Sequence, residues 1–165
     1  MFIADQVTLK GGFPAAYIRL GQLADGGLLL RVSNDAYSEG ITALVHSGPV
    51  RHLPGRGLTG VRLGELILLT GQHGCARLPL RWETAGPAGQ FPVLDADITL
   101  TAAGEEDATV LVLTGAYRLP PGLAAGAGQQ AVRQCAAATI HSFLARLACA
   151  IARPAGRAEP GGLAS

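Results

Sequence analysis

The sequence is short of several residue types that a functional reading would use. Lys10 is its only lysine among 13 basic residues, which weakens any chemistry needing a Schiff base or a phosphate-cradling lysine. Basic and acidic residues nearly cancel, leaving a formal charge of +1. There is thus no electrostatic footprint for nucleic acid. No run of 18 apolar residues occurs: the longest candidate, Ala136 to Ala152, is interrupted by His141, Ser142 and Arg146, so no membrane span is expected. The N-terminus, Met1-Phe2-Ile3-Ala4-Asp5, lacks the basic and apolar regions of a signal peptide, and a cytoplasmic protein is expected.

Cysteine is scarce too: Cys75, Cys135 and Cys149, none in a CxxC spacing. Cys135 and Cys149 fall in one expected helix, about 21 Å apart at 1.5 Å per residue, far beyond disulfide reach. Buried thiols acting as small hydrophobes are the reading. His46, His52, His73 and His141 show no i, i+4 pairing, and no GxxxxGK, HExxH or GxSxG is present, so neither a metal nor a cofactor is expected. Gly55-Arg56-Gly57-Leu58-Thr59-Gly60 spells GxGxxG. The dinucleotide fingerprint needs a strand before it and a helix after it, whereas Leu53-Pro54 precedes and an alternating strand follows. A glycine loop is the better account.

What the chain does have is apolar residues, 48% of 165, with 15% charged. That is enough for one sizeable core. Phe2 to Lys10 reads as a strand. Phe13 to Leu23 has helical periodicity, and Leu28 to Ser38 reads as a second short helix. Ile41 to Ser47 reads as a short strand, and Gly48 to Gly60 as a loop. Strands follow at Thr59–Thr70, Cys75–Thr84, Phe91–Thr101 and Thr109–Arg118. Leu119-Pro120-Pro121-Gly122 stops the sheet. Gly126 to Arg153 then reads as one long helix, with Val132, Ala136, Thr139, Ile140, Phe143, Leu147 and Ile151 as its apolar stripe. Residues 1–153 form a single expected domain, and 154–165 an expected disordered tail. Strands segregated from helices mean α+β, with the long helix covering the inner face of a curved antiparallel sheet of about six to seven strands.

Alternation along the strands assigns faces. Leu80 and Trp82, then Leu94, Ala96, Ile98 and Leu100, then Leu111, Leu113 and Tyr117 point inward. Arg81, Glu83, Asp95, Asp97 and Arg118 then share the outer face. They form a cross-strand ionic ladder, a partner surface suited to a homodimer, or, for Asp95 and Asp97 about 6.5–7 Å apart, a two-carboxylate site. An open sheet face cannot exclude water, which counts against the last. Trp82 and Tyr117 are either core or the polar handles of a binding cavity. Tyr17, Tyr37 and His46 are placed to rim its opening. His141 falls nearly opposite Phe143 on the helical wheel and is expected to face solvent. The many alanines of the last helix allow close approach to the sheet or leave volume unfilled.

This order resembles the START-like, helix-grip superfamily (SRPBCC), which includes polyketide cyclase/dehydratase-like proteins. Two segments, Leu78-Pro79-Leu80-Arg81-Trp82-Glu83 with Phe91-Pro92-Val93-Leu94-Asp95-Ala96-Asp97, and Leu113-Thr114-Gly115-Ala116-Tyr117-Arg118, resemble an uncharacterised actinobacterial group within it. The resemblance implies a sheet wrapped around the long helix, two short helices after the first strand, and a cavity for an apolar or amphipathic small molecule. The Gly48–Gly60 loop would gate its mouth. The expected ligand-binding residues are Trp82, Tyr117, Leu80, Leu113, Phe143, Tyr37 and His46. Binding without catalysis is the leading reading, because no inward acid, base or nucleophile constellation is visible. A cyclase/dehydratase-like enzyme and an interaction module using the outer charged face are the alternatives.

Overall fold

The computed structural model describes residues 1–46, 59–69, 74–84, 92–104, 107–119 and 128–153. The order is β1 (Phe2–Lys10), α1 (Phe13–Asp25), α2 (Leu28–His46), β2 (Thr59–Leu63), β3 (Ile67–Leu68), β4 (Cys75–Thr84), β5 (Val93–Ala102), β6 (Ala108–Arg118) and α3 (Gly128–Ala152). All strands pair antiparallel in one six-stranded sheet, ordered β1-β6-β5-β4-β2, with β3 also on β4. The α+β helix-grip order expected from the sequence is the one observed.

The long strands form because their apolar residues alternate, and one face buries them. Leu78, Leu80 and Trp82 on β4, Leu94, Ala96, Ile98 and Leu100 on β5, and Leu111, Leu113 and Tyr117 on β6 are all buried. The α3 stripe of Val132, Ala136, Ile140, Phe143, Leu144 and Leu147 meets that face, alongside Leu29, Tyr37, Ile41 and Leu44 of α2. By length and composition α3 is apolar enough to cross a bilayer. Here it lies against β1, β6 and the other two helices and turns Arg133, His141 and Arg146 to solvent.

Two expectations are corrected. The strand expected at Ile41–Ser47 is helix over its described part: α2 runs 19 residues to His46 and is not short. Gly40 and the β-branched Ile41, Thr42 and Val45 suggested a break followed by a strand. Instead Gly40 sits where α2 meets α3, and a Cβ there would lie 2.5 Å from Thr139 Oγ1. The glycine is a packing device, and burial of Ile41 and Leu44 overrides their local preference. Second, Thr59–Leu69 is not one strand. Gly64 N–H donates to the Pro79 carbonyl at 2.8 Å, but Pro79 has no N–H to return, so the ladder breaks between β2 and β3. The expected gating loop from Gly48 to Leu58, with the Gly55–Leu58 part of the GxGxxG segment and His52, lies outside the described residues, as do His73, Phe91 and the 154–165 tail.

Gly115 lies opposite Ala96 where β6 crowds β5. A Cβ there would fall 2.6 Å from both Ala96 Cβ and the Asp95 carbonyl oxygen. Only glycine permits this register on the inner face.

Candidate functional site

Register places Trp82 opposite Leu94, and Leu94 opposite Tyr117. The three make one row across β4, β5 and β6 on the inner face, with Trp82 and Tyr117 about 10 Å apart at the usual strand spacing. The row lies at one end of the sheet, where β2 begins, β4 ends, β5 begins and β6 ends. Val61 extends it on β2.

Two helices close over this row. From α2, Tyr37 brings its ring to 5.8 Å from that of Trp82, tilted by 45°. Its hydroxyl donates to the Pro92 carbonyl just before β5, at 2.7 Å. From α3, Phe143 meets the indole edge to face, with centroids 5.2 Å apart and planes at 88°. Such pairs add about 0.5–1.5 kcal/mol beyond the area they bury. The chain has four Phe, three Tyr and one Trp, and Tyr37, Trp82, Tyr117 and Phe143 all belong to this one core cluster.

The polar atoms here are unusual. Trp82 is fully buried, and its indole Nε1 finds no acceptor among the described residues. Ser33, one helical turn before Tyr37 on α2, is also fully buried with an unpartnered Oγ. Burial pushes the Tyr117 phenol well above its ordinary value, with Tyr37 and Cys135 adding to the shift. The phenol is therefore neutral and disposed to donate a hydrogen bond rather than take a proton. Among the described residues the buried polar or charged side chains are Ser33 and Thr109. Among the described residues no formal charge is buried with the aromatic row.

Of the expected ligand-binding residues, the structure gathers Trp82, Tyr117, Leu80, Leu113, Phe143 and Tyr37 into the buried core. His46 it does not. Residue 46 ends α2 instead of lying on a strand, and its exposed ring sits 2.8 Å from the Thr42 carbonyl of its own helix. Tyr17 stacks on Phe13 at 5.9 Å. His141 is exposed, as its wheel position implied, and reaches Asp5 Oδ2 at 3.1 Å. Sequence reasoning missed Ser33; a serine at the i−4 position of an inward tyrosine on a helix face rich in leucine was its available signal.

The inner face is well filled where Trp82, Phe143 and Tyr37 meet. The depressions lined by described residues lie elsewhere. One of about 620 Å³ on the outer face is lined by Arg62, Arg77, Arg81, Asp95, Asp97 and Thr114, among others. A groove of about 380 Å³ between α2 and α3 runs past Glu39, Gly40, Cys135 and Thr139.

The outer charges engage one another. Arg77 binds Asp97 at 2.8 Å; Arg81 binds both Glu83 and Asp95 at 2.8 Å. Arg118 also pairs with Asp95, and Arg62 with Glu83 at 2.9 Å. This is the ionic ladder. Both carboxylates of the Asp95/Asp97 pair are held by arginines on an open face, which gives a general acid/base pair no dry site to work in. No disulfide joins the three cysteines.

No protein-family model matches the chain, and no curated protein does. Solved structures to which it is similar include hypothetical protein jhp0584 from Helicobacter pylori, at 12% identity and TM-score 0.49, covering 90% of this chain and 86% of that one. TTHA0849 from Thermus thermophilus matches at 13% identity and TM-score 0.43, covering 92% and 97%. The Zhui aromatase/cyclase from Streptomyces sp. R1128 matches at 10% identity and TM-score 0.36, covering 92% and 93%.

Proposed function

We propose that this chain binds an apolar or amphipathic small molecule on the inner face of the sheet, at the Trp82–Leu94–Tyr117 row beneath α2 and α3, the ligand entering by displacing part of the packing that fills the row in the free protein. The observation that carries the reading is the Trp82 indole N–H, fully buried and without an acceptor among the described residues. Leaving a buried donor unmade costs about 1–3 kcal/mol. A core meant only to pack would do better with phenylalanine. An indole kept there is suited to an acceptor arriving from outside, held in an otherwise apolar surround. Tyr117 supplies a second neutral donor in the same row. Binding rather than turnover fits these groups, since neither takes up a proton in the physiological range. The cytoplasm is the proposed compartment, where cysteines outside any disulfide stay reduced.

The test is titration with Nile red, an uncharged amphipathic dye, followed by its own emission and by quenching of the single tryptophan. Saturable one-to-one binding, weakened in Trp82→Phe and Tyr117→Phe, is expected. Dye binding that is absent, or indifferent to both substitutions, contradicts the reading.

A further inference from the structure

We propose that this site discriminates by charge: it takes uncharged ligands bearing a hydrogen-bond acceptor, such as an aryl ketone, and rejects the matching carboxylate. The inference rests on the binding reading above and adds what that reading leaves open, the ionisation state and the polar group of the ligand.

Three observations carry it. First, the described residues of the inner face offer no counter-ion. Among the described residues no arginine, lysine or histidine is buried. The arginines of β2, β4 and β6 project from the opposite face and are engaged by Glu83, Asp95 and Asp97. A carboxylate drawn onto the aromatic row would lose its hydration with no described side chain of opposite sign to replace it.

Second, the unsatisfied polar atoms are neutral. Trp82 Nε1 is an obligate donor, fully buried and unpartnered, and Ser33 Oγ and Asn34 Oδ1 are the other buried polar side-chain atoms without a partner among the described residues. The Tyr117 phenol, protonated at neutral pH in any case, is held more firmly so by burial. A neutral carbonyl or ether oxygen satisfies the indole N–H without bringing a charge. A pure hydrocarbon leaves it unmade.

Third, the walls are aromatic and tightly placed. Phe143 and Tyr37 hold the indole from two sides, at 5.2 and 5.8 Å between centroids. The indole therefore has few orientations, and its N–H direction is set before any ligand arrives. A ligand that displaces part of this packing meets an indole whose remaining ring contacts hold its orientation.

The experiment compares three ligands of nearly one shape: 2-acetylnaphthalene, 2-isopropylnaphthalene and 2-naphthoate, measured at neutral pH by equilibrium dialysis and by quenching of Trp82. The ketone is expected to bind about ten-fold tighter than the hydrocarbon, the size of one net hydrogen bond. It is also expected to exceed the naphthoate by at least as much. In Trp82→Phe, followed by dialysis, the ketone's advantage over the hydrocarbon collapses, whatever the change in the affinity the two ligands share. Naphthoate binding as tightly as the ketone overturns the proposal, as does a ketone preference that survives Trp82→Phe. The wild-type comparison stands even if the variant fails to fold. Nile red bound without the ketone preference defeats the charge and acceptor rule alone. Failure of Nile red and all three naphthalenes defeats the binding reading together with it.

Discussion

The ring of Phe143 meets the indole of Trp82 edge to face at 5.2 Å, joining the long C-terminal helix to the middle of the sheet through two fully buried residues. Truncation at this contact has a foreseeable cost. Phe143→Ala is expected to destabilise the fold by about 3–5 kcal/mol through lost burial and the cavity left behind. Trp82→Phe is expected to cost clearly less, because it removes the unsatisfied N–H along with part of the ring. Urea denaturation followed by circular dichroism checks both. Equal losses would mean that the indole N–H is satisfied in the folded protein.

The crossing of α2 and α3 depends on Gly40. Its missing Cβ would sit 2.5 Å from Thr139 Oγ1 and 3.0 Å from Thr139 Cγ2, so rotating the threonine exchanges one clash for another. Gly40→Ala gains up to about 1 kcal/mol of helix propensity and is still expected to destabilise by about 1–3 kcal/mol through overpacking. Combining it with Thr139→Ala should recover much of that loss. A double-mutant cycle with no coupling would show that the two helices do not meet there.

Tyr117 makes stability sensitive to alkali. Its folded phenol is held above the ordinary value near 10, so the unfolded chain releases this proton first as pH rises. The contribution is fully present below pH 10 and is lost progressively above it. Tyr117→Phe should flatten that alkaline decline, measured as denaturation midpoint against pH between about 9 and 11. A decline unchanged by the substitution would place its origin elsewhere.

On the outer face the sign is reversed. Arg81, hydrogen-bonded to Glu83, holds that carboxyl below its ordinary value, with Arg62 assisting. The pair's contribution is present above pH 4.5 and is lost as pH falls through the lower folded value. Glu83→Gln should make the acid limb shallower in that window, with a smaller difference in high salt. A salt-independent difference would argue against an ionic origin.

Much of this fold was readable because the sheet is buried on one side. Period-two alternation in Cys75–Thr84, Val93–Ala102 and Ala108–Arg118 put the correct residues inside, and the outer ladder followed from it. What failed depended on contacts distant in sequence. Gly40 looks like a break until Thr139 is beside it, and the β2–β3 interruption comes from Pro79 on the neighbouring strand. For the site, Trp82, Tyr117, Leu80 and Leu113 followed from strand register, Phe143 from the helix stripe. His46 was misplaced with the strand that does not exist. The unpaired state of Trp82 Nε1 and Ser33 Oγ arises only from three-dimensional packing, and no local pattern encodes it.

The central claim is best tested on the single indole N–H of this chain, which gives one side-chain cross-peak in a proton–nitrogen correlation spectrum. In the free protein that peak should lack the downfield position of a strong hydrogen bond. On saturation with 2-acetylnaphthalene it should move downfield while its exchange with solvent slows. A peak already downfield in the free protein, or one that stays still while the ligand binds, would contradict the account.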